Sequence, residues 1–215
     1  AAENVDNTTT FSPVKNIERI GSICKLACLD YDGHVFTLSN GVDEVELKPQ
    51  KVNLPCCIQV SCCVKSTFCL IDDGTVYSFG DNSSGELGIG STEMWVDVPQ
   101  KNLSLKSVEF IACGGAHTFC KILNNEVYCW GFNGNGELGL GDRKNYFSPV
   151  LCTSIPNEDI VDIKCGYNHT LVLTSNQFVY SCGNNDYGQI GREANDYYSL
   201  SLAKIEDLSE ITRIE

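Results

Sequence analysis

A nine-residue segment recurs three times in this chain, and this recurrence restricts the fold more than any other feature of the sequence. The copies begin at Gly80, Gly131 and Gly183, at spacings of 51 and 52 residues. Internal repeats with a period near 50 residues indicate an array of similar units, such as the blades of a β-propeller. Glycines permit tight backbone turns, and we interpret those of the segment as structural positions. They are Gly80, Gly85, Gly88, Gly131, Gly136, Gly139, Gly183, Gly188 and Gly191.

Other parts of the unit repeat around the glycine segment. An alternating run of β-branched and aromatic residues precedes each copy, which predicts a short strand. A turn rich in Asp, Asn, Ser or Gly precedes each run, because such residues accept the positive φ of tight hairpins. Further upstream, a Cys-Gly-x-x-His-Thr element begins at Cys113 and again at Cys165, and we expect a second strand to start at its histidine. Each unit therefore offers about four strands, which must bury their faces against neighbouring units.

A fourth, shorter unit lies at the start of the chain. Its Asp32-Gly33 turn matches Asp73-Gly74 at a spacing of 41 residues, and the glycine segment is missing. Terminal repeats are often atypical because they cap the array. The units run roughly over 11–54, 55–104, 105–156 and 157–215. We interpret the polar residues 1–10 as a disordered tail, a cloning scar or the cut end of a longer chain.

Together these elements resemble the RCC1 repeat family. The resemblance covers roughly residues 11–215 and implies an all-β fold of RCC1-like propeller blades, each with four antiparallel strands. Family members usually have seven blades, which at about 50 residues each would need about 350 residues. Three arrangements remain open for about four blades: part of a longer propeller, a small or open propeller, and a ring completed by a second copy. Association is favoured where strand edges stay unpaired.

The charge of the chain restricts its partners. With 15 basic and 28 acidic residues the formal net charge is −13, which disfavours binding to nucleic acid or to an anionic membrane surface. No apolar run approaches the roughly 20 residues of a membrane-spanning helix. We therefore expect a protein partner.

The 13 cysteines occur largely at equivalent repeat positions. One of these positions holds Val172 in the last unit, which indicates a small buried hydrophobe, and free cysteine behaves as one. Reduced core thiols predict a cytoplasmic protein, with the nucleus as the alternative. A zinc site and a redox role for the cluster 56–69 are weaker alternatives, because paired C-x-x-C motifs are absent. No metal or cofactor is expected.

A few residues are candidates for contact with a partner. His117 and His169 share one repeat position, which favours a structural hydrogen bond from the ring to the backbone. The resemblance implies an alternative for both, since histidines of this element lie near the face of RCC1-like exchange factors that engages the GTPase. The Asp72-Asp73 turn and Trp95, which follows Met94 in a loop between strands, complete the set.

The favoured function is a protein-interaction or scaffold module within a larger regulatory protein. The alternative implied by the resemblance is nucleotide exchange on a Ran- or Rho-type small GTPase, although the chain shows neither an inserted hairpin nor a basic tail. Inhibition of an enzyme by this chain and catalysis by it are weaker hypotheses. No nucleophile–base pair stands outside the repeat pattern, and the glycine segment lacks the Lys-Ser/Thr of a phosphate loop.

Overall fold

The computed structural model of this protein describes residues 14–18, 26–38, 49–155, 158–193 and 197–215. The predicted tail 1–10, the start of the first unit at Phe11 and the cysteine Cys24 lie outside these ranges. The regular structure of the described residues consists of β-strands. No helix in this part of the chain is long and apolar enough to cross a bilayer.

The strands form four antiparallel sheets of four strands, hydrogen-bonded in chain order. The first sheet contains β1 (Val14–Glu18), β2 (Leu26–Asp30), β3 (Val35–Leu38) and β4 (Pro49–Val52). The second contains β5 (Cys57–Cys62), β6 (Ser66–Ile71), β7 (Val76–Asp81) and β8 (Trp95–Lys101). The third contains β9 (Val108–Cys113), β10 (His117–Ile122), β11 (Val127–Gly131) and β12 (Tyr146–Leu151). The fourth contains β13 (Ile160–Cys165), β14 (His169–Thr174), β15 (Val179–Asn184) and β16 (Tyr198–Lys204). Sheets of this topology are propeller blades, and the predicted four-stranded blades are confirmed.

The turn between the second and third strands has the same conformation in every blade. Its last residue has positive φ: +81° at Gly33, +78° at Gly74, +68° at Asn125 and +63° at Gln177. This is the left-handed residue that follows a type I turn in a three-residue hairpin loop. In the last blade the sequence places Asn176 in the turn, but the left-handed conformation falls on Gln177, one residue later.

The blades stack in chain order. Strand β5 packs against β2, β9 against β5, and β13 against β9. The core between the second and third blades contains Trp130, Phe68 and Cys120, and all three side chains are fully buried. In the second blade, the second strand β6 is covered from both sides and all six of its residues are buried, whereas the outermost strand β8 is mostly exposed. No extensive strand contact joins the first blade to the fourth within the described ranges, so the blades form an open arc.

Twelve cysteines lie in the described residues, and all are free thiols. Cys28, Cys69 and Cys120 are buried at the position that Val172 occupies in the fourth blade, as the exchange with valine predicted. Cys113 and Cys165 are only partly buried, because they line the cavity along the innermost strands. The expectation of a uniformly buried thiol core therefore does not hold at these positions or at the exposed Cys56.

The glycine loops join each blade to the next. In the second blade, the backbone carbonyl of Glu86 accepts a hydrogen bond from the Trp130 indole of the third blade at 2.7 Å. In the third blade, the carbonyl of Glu137 accepts one from the Thr170 hydroxyl of the fourth blade at 2.8 Å. Gly141 also donates its N–H to Leu200 O at 2.8 Å. The glycine loops of the second and third blades therefore each act as a backbone clamp on the following blade.

Glycine is needed in these loops for close approach as well as for backbone conformation. A Cβ at Gly136 would lie 2.7 Å from the backbone of Leu200, and Gly136 has a φ of +81°. Gly188, its counterpart in the fourth blade, has a φ of +78° but faces no atom within 4 Å. The glycine loop of the fourth blade therefore has the same backbone conformation at this position, but it contacts no further blade among the described residues.

Candidate functional site

The meander topology places the candidate residues at the two opposite ends of the strands. In every blade, the loops after the first and third strands lie at one end, which we call the glycine-loop end. The hairpin turns between the second and third strands lie at the other, the tight-turn end. His117, His169 and Trp95 belong to the glycine-loop end, whereas Asp72 and Asp73 belong to the tight-turn end. The structure thus does not unite the predicted partner-binding residues in one site.

His117 is a structural residue of the interface between the third and fourth blades. It is 1% exposed, and its Nε2 lies 3.0 Å from the Thr170 hydroxyl. Its ring packs on Gly114, where a Cβ would lie 2.2 Å from the imidazole carbon. Burial, with a contribution from the neighbouring His169, lowers the pKa of His117 to about 3. The ring is therefore neutral, and its hydrogen bond reaches a side chain of the next blade instead of the expected local backbone.

His169 repeats this geometry without the final contact. Its ring packs on Gly166, where a Cβ would lie 2.0 Å from the imidazole carbon. Burial lowers the pKa of His169 as well, although its side chain is only half-buried. Among the described residues, no hydroxyl takes the place beside His169 that Thr170 has beside His117.

The remaining candidates are exposed. Trp95 is 44% exposed, and its indole N–H donates to Asp97 Oδ1 at 2.6 Å. Asp72 and Asp73 are exposed in the β6–β7 turn. The side chain of Asp73 accepts the Thr75 N–H at 2.8 Å, and hydrogen bonding from Thr75 lowers the pKa of Asp73. Both sites are accessible to a partner, at opposite ends of the second blade.

The acidic residues of the glycine loops organise the loops themselves. Glu137 Oε2 accepts the backbone N–H of Asn135 at 2.8 Å, and Glu86 Oε2 accepts that of Ser84 at 2.8 Å. Gln189 bonds the Tyr187 N–H in the same way. Burial raises the pKa of both glutamates. A hydrogen bond from a loop N–H to the Glu or Gln side chain is thus present in all three copies of the glycine segment.

A cavity of about 550 Å³ runs along the innermost strands of the last three blades. Gln59 lines this cavity, and its side-chain amide pairs with the backbone of the neighbouring strand β9 in the manner of another strand. Its amide donates to Ile111 O at 2.7 Å and accepts the Ile111 N–H at 3.1 Å. On the next strand, Asp162 Oδ1 accepts the Ile163 N–H at 2.9 Å. These side chains satisfy strand edges that face the cavity.

One cluster of potential metal ligands occurs in the described residues, at the tight turn of the first blade. Asp30, Asp32 and His34 have ligand atoms within 4.8 Å of one another. Asp30 Oδ1 accepts the backbone N–H groups of Asp32 and His34, and its Oδ2 lies 3.0 Å from His34 Nδ1. These contacts account for the cluster as a hydrogen-bonded turn. They also supply a partner for His34, which the sequence did not indicate.

The repeat pattern is matched by known families. A family profile described as the Regulator of chromosome condensation (RCC1) repeat matches residues 73–120 and 124–173, and a second profile of the same description matches 108–137 and 160–189. The chain belongs to the RCC1 repeat family. The RCC1 matches extend from the tight turn of the second blade to the glycine loop of the fourth.

The related RCC1-repeat proteins include large ubiquitin ligases. The human "Probable E3 ubiquitin-protein ligase HERC3" is 36% identical over 170 residues, which are 77% of this chain and 16% of that protein. The human "E3 ubiquitin-protein ligase HERC2" is 35% identical over 149 residues, 67% of this chain and 3% of that protein. The chain therefore spans only a small part of these relatives.

Solved structures confirm the RCC1 propeller fold. Prp20p from Saccharomyces cerevisiae superposes with a TM-score of 0.77 at 21% identity, covering 92% of this chain and 52% of Prp20p. Human WBSCR16 superposes with a TM-score of 0.69 at 20% identity, covering 84% of this chain and 49% of WBSCR16. The four blades thus correspond to about half of each of these proteins.

Three exposed tyrosines at the glycine-loop end are not marked by the RCC1 repeat pattern. Tyr167, Tyr187 and Tyr197 of the fourth blade are 71%, 94% and 77% exposed. Their counterparts in the earlier blades are not tyrosines, so periodicity does not mark them. The only signal in the sequence is the excess of tyrosine in the last unit.

Proposed function

We propose that these RCC1 repeats form a rigid protein-binding module within a longer regulatory protein, with the glycine-loop end as the binding face. The clamps between blades support this, because they hold loops from several blades in one arrangement. Exposed Tyr and Trp side chains at that end supply the residue types that dominate binding hot spots. Relatives such as HERC3 carry the matching repeats as a small part of a much larger protein.

We assign no catalytic step and no cofactor to these residues. The matching segment makes up 16% of HERC3, so ubiquitin-ligase activity is not transferred to it. The reduced thiols favour the cytoplasm, with the nucleus as the alternative. The net charge of −13 disfavours nucleic acid and anionic membranes as partners of this domain.

We also propose that the arc is part of a larger propeller. Gly188 and the ring of His169 both lie on the side of the fourth blade that faces away from the third blade. The corresponding groups of the third blade, Gly136 and His117, contact the fourth blade. A second copy completing the ring is the other option. Light scattering behind size exclusion separates them, since a second copy would double the mass of 23.6 kDa.

The proposed module is tested by affinity capture with the 215-residue chain as bait. We expect a stable partner whose binding does not depend on added GDP or GTP. A Trp95→Ala variant should lose that partner, while Asp72→Lys at the opposite end should retain it. Loss of the partner with Asp72→Lys alone would move the binding face to the tight-turn end and overturn this assignment.

A second candidate is nucleotide exchange on a small GTPase. The solved structure of Prp20p was described together with its binding properties to Gsp1p and histones, and this chain shares its fold. An exchange factor binds the nucleotide-free GTPase more tightly than the loaded form. Release of fluorescent GDP from Ran- and Rho-type GTPases measures this directly. Since no inserted hairpin is seen in the sequence, we expect no acceleration, and a clear acceleration would favour exchange.

A further inference from the structure

The fourth blade exposes three tyrosines in the loops at its glycine-loop end. Tyr187 lies in the glycine loop, Tyr167 in the loop between β13 and β14, and Tyr197 directly before β16. All three are more than two-thirds exposed. Tyr167 also lies over Gly115 of the third blade, where a Cβ would lie 3.2 Å from its ring. Exposed aromatic rings in adjoining loops mark a candidate contact surface.

Backbone hydrogen bonds hold the three loops together. The Asn184 N–H donates to Asn168 O at 2.8 Å, which joins the loop of Tyr167 to the end of β15. The Asn185 N–H donates to Tyr197 O at 2.7 Å, which joins the glycine loop to the start of β16. The rings are therefore displayed by a connected backbone, and we call the surface of Tyr167, Tyr187, Tyr197 and Asp186 the tyrosine patch.

The tyrosine patch carries one carboxylate, that of Asp186. Asp186 immediately precedes Tyr187, and its Oδ2 accepts a hydrogen bond from Asn184 Nδ2 at 2.8 Å. This contact orients the carboxylate without neutralising it. The nearby Arg192 is engaged elsewhere, because its guanidinium donates to Ser181 O at 3.1 Å and also contacts Ser199. Negative charge beside exposed aromatic faces suits a cationic ligand.

A neighbouring tyrosine already binds a guanidinium within this chain. Arg143 of the third blade places its guanidinium carbon 4.8 Å from the centre of the Tyr198 ring. One of its nitrogens lies 3.5 Å from the Tyr198 hydroxyl. Tyr198 follows Tyr197 directly, so an arginine approaching the patch would repeat a contact that the same blade end makes internally.

We propose that the tyrosine patch binds an arginine-rich segment of a partner protein. The rings would accept guanidinium groups on their faces, and Asp186 would add a charge-assisted hydrogen bond. This inference rests on the proposed protein-binding function and specifies the chemistry of the partner. It does not require the patch to be the whole interface.

The probe is a fluorescein-labelled peptide of alternating Gly and Arg, with an alternating Gly-Glu peptide as its control. Binding to the full chain is measured by fluorescence anisotropy at low ionic strength, where charge interactions are least screened. The triple variant with Tyr167→Leu, Tyr187→Leu and Tyr197→Leu removes the aromatic faces. The matching triple Phe variant keeps them and controls for folding. Asp186→Asn removes one charge from the patch, and Asp72→Asn removes one at the opposite end.

We expect the wild-type chain to bind the Gly-Arg peptide and not the Gly-Glu peptide. The Leu variant should bind at least about tenfold more weakly, since three exposed cation–π contacts are lost. The Phe variant should bind within about twofold of wild type, because the ring faces remain. Asp186→Asn should weaken binding severalfold, and Asp72→Asn should not.

Three results would overturn this inference. If the wild-type chain does not bind the Gly-Arg peptide, or if the Leu variant binds it as well as wild type, the patch is not a site for arginine. If Asp72→Asn weakens binding as much as Asp186→Asn, attraction is due to the overall charge of the chain. Each of these results leaves affinity capture free to succeed, so failure of the patch is distinguishable from failure of the proposed module.

Discussion

His117 loses contact with water because the fourth blade covers it. In the second blade Ser66 occupies the same repeat position, and its hydroxyl donates to Asp81 O at 2.6 Å within the blade. The histidine instead reaches Thr170 across the interface. The same position can therefore hold either a local bond or a bond between blades. Which one forms depends on whether the side chain is long enough to reach the neighbour.

The burial of His117 should make stability depend on pH. Its folded pKa of about 3 lies below the ordinary value of 6.5, so the unfolded chain binds the proton first. The contribution of His117 to the free energy of unfolding is then complete above the unfolded pKa, and it decreases as the pH falls below about 6.5. We expect the free energy of unfolding to decrease by about 2 kcal/mol between pH 7 and pH 5 from this residue.

The measurement is urea unfolding at both pH values for wild type and His117→Ser, which copies the second blade. The variant should lose most of the pH-dependent decrease, and the smaller part that comes from His169 should remain. An equal decrease in both proteins would contradict a buried neutral imidazole.

The glycine loop is the element that joins the blades. Its glycines combine positive φ with backbone contacts closer than any side chain allows, and the side chain of its Glu or Gln accepts a backbone N–H within the loop. The third and fourth blades carry the same loop in two situations, one clamped on a neighbour and one open. This difference separates the conformational requirement for glycine from the packing requirement.

Gly136→Ala and Gly188→Ala form a matched pair for this element. Alanine at positive φ costs roughly 1–2 kcal/mol at either position. At Gly136 the new methyl group would also meet the backbone of Leu200 at 2.7 Å, and overpacking adds about 1–3 kcal/mol. Thermal unfolding followed by circular dichroism should therefore show the larger loss for Gly136→Ala. Equal losses would mean that the loop does not clamp the next blade.

At the scale of the whole molecule, stability depends on the number of clamps that a blade shares. The third blade receives a clamp from the second through Trp130 and supplies one to the fourth through Glu137. The first unit has no glycine segment in its sequence. In repeat proteins each unit is stabilised by its nearest neighbours, so local stability should vary along the arc.

Native-state hydrogen exchange should reveal this gradient. We expect the amides of β10 and β11 to exchange most slowly and those of β2 and β3 at least about tenfold faster, because regions with fewer buried contacts open more often. Mass spectrometry of peptic fragments resolves the individual strands. Uniform protection across the four blades would show that the arc unfolds as one unit and that the clamps do not differ in effect.

The sequence by itself determined the repeat unit, its four strands, the hairpin turns and the glycine positions. These features arise from short segments, such as the alternation before Gly131 and the Asp-Gly turns, whose preferences are local. The left-handed position of the fourth blade is held by Gln177, a residue type that the preference of such turns for Gly, Asn and Asp does not indicate.

Only the tertiary structure decided what each repeated residue contacts. The bond between His117 and Thr170 and the contact between Glu86 and Trp130 each join residues about 50 positions apart in the chain, whereas a Cβ at Gly188 would face no atom within 4 Å. The separation of Trp95 from Asp72 to opposite ends follows from the meander of their blade. Burial, pKa and exposure depend on the neighbouring blade, and a pattern within one repeat does not contain that information.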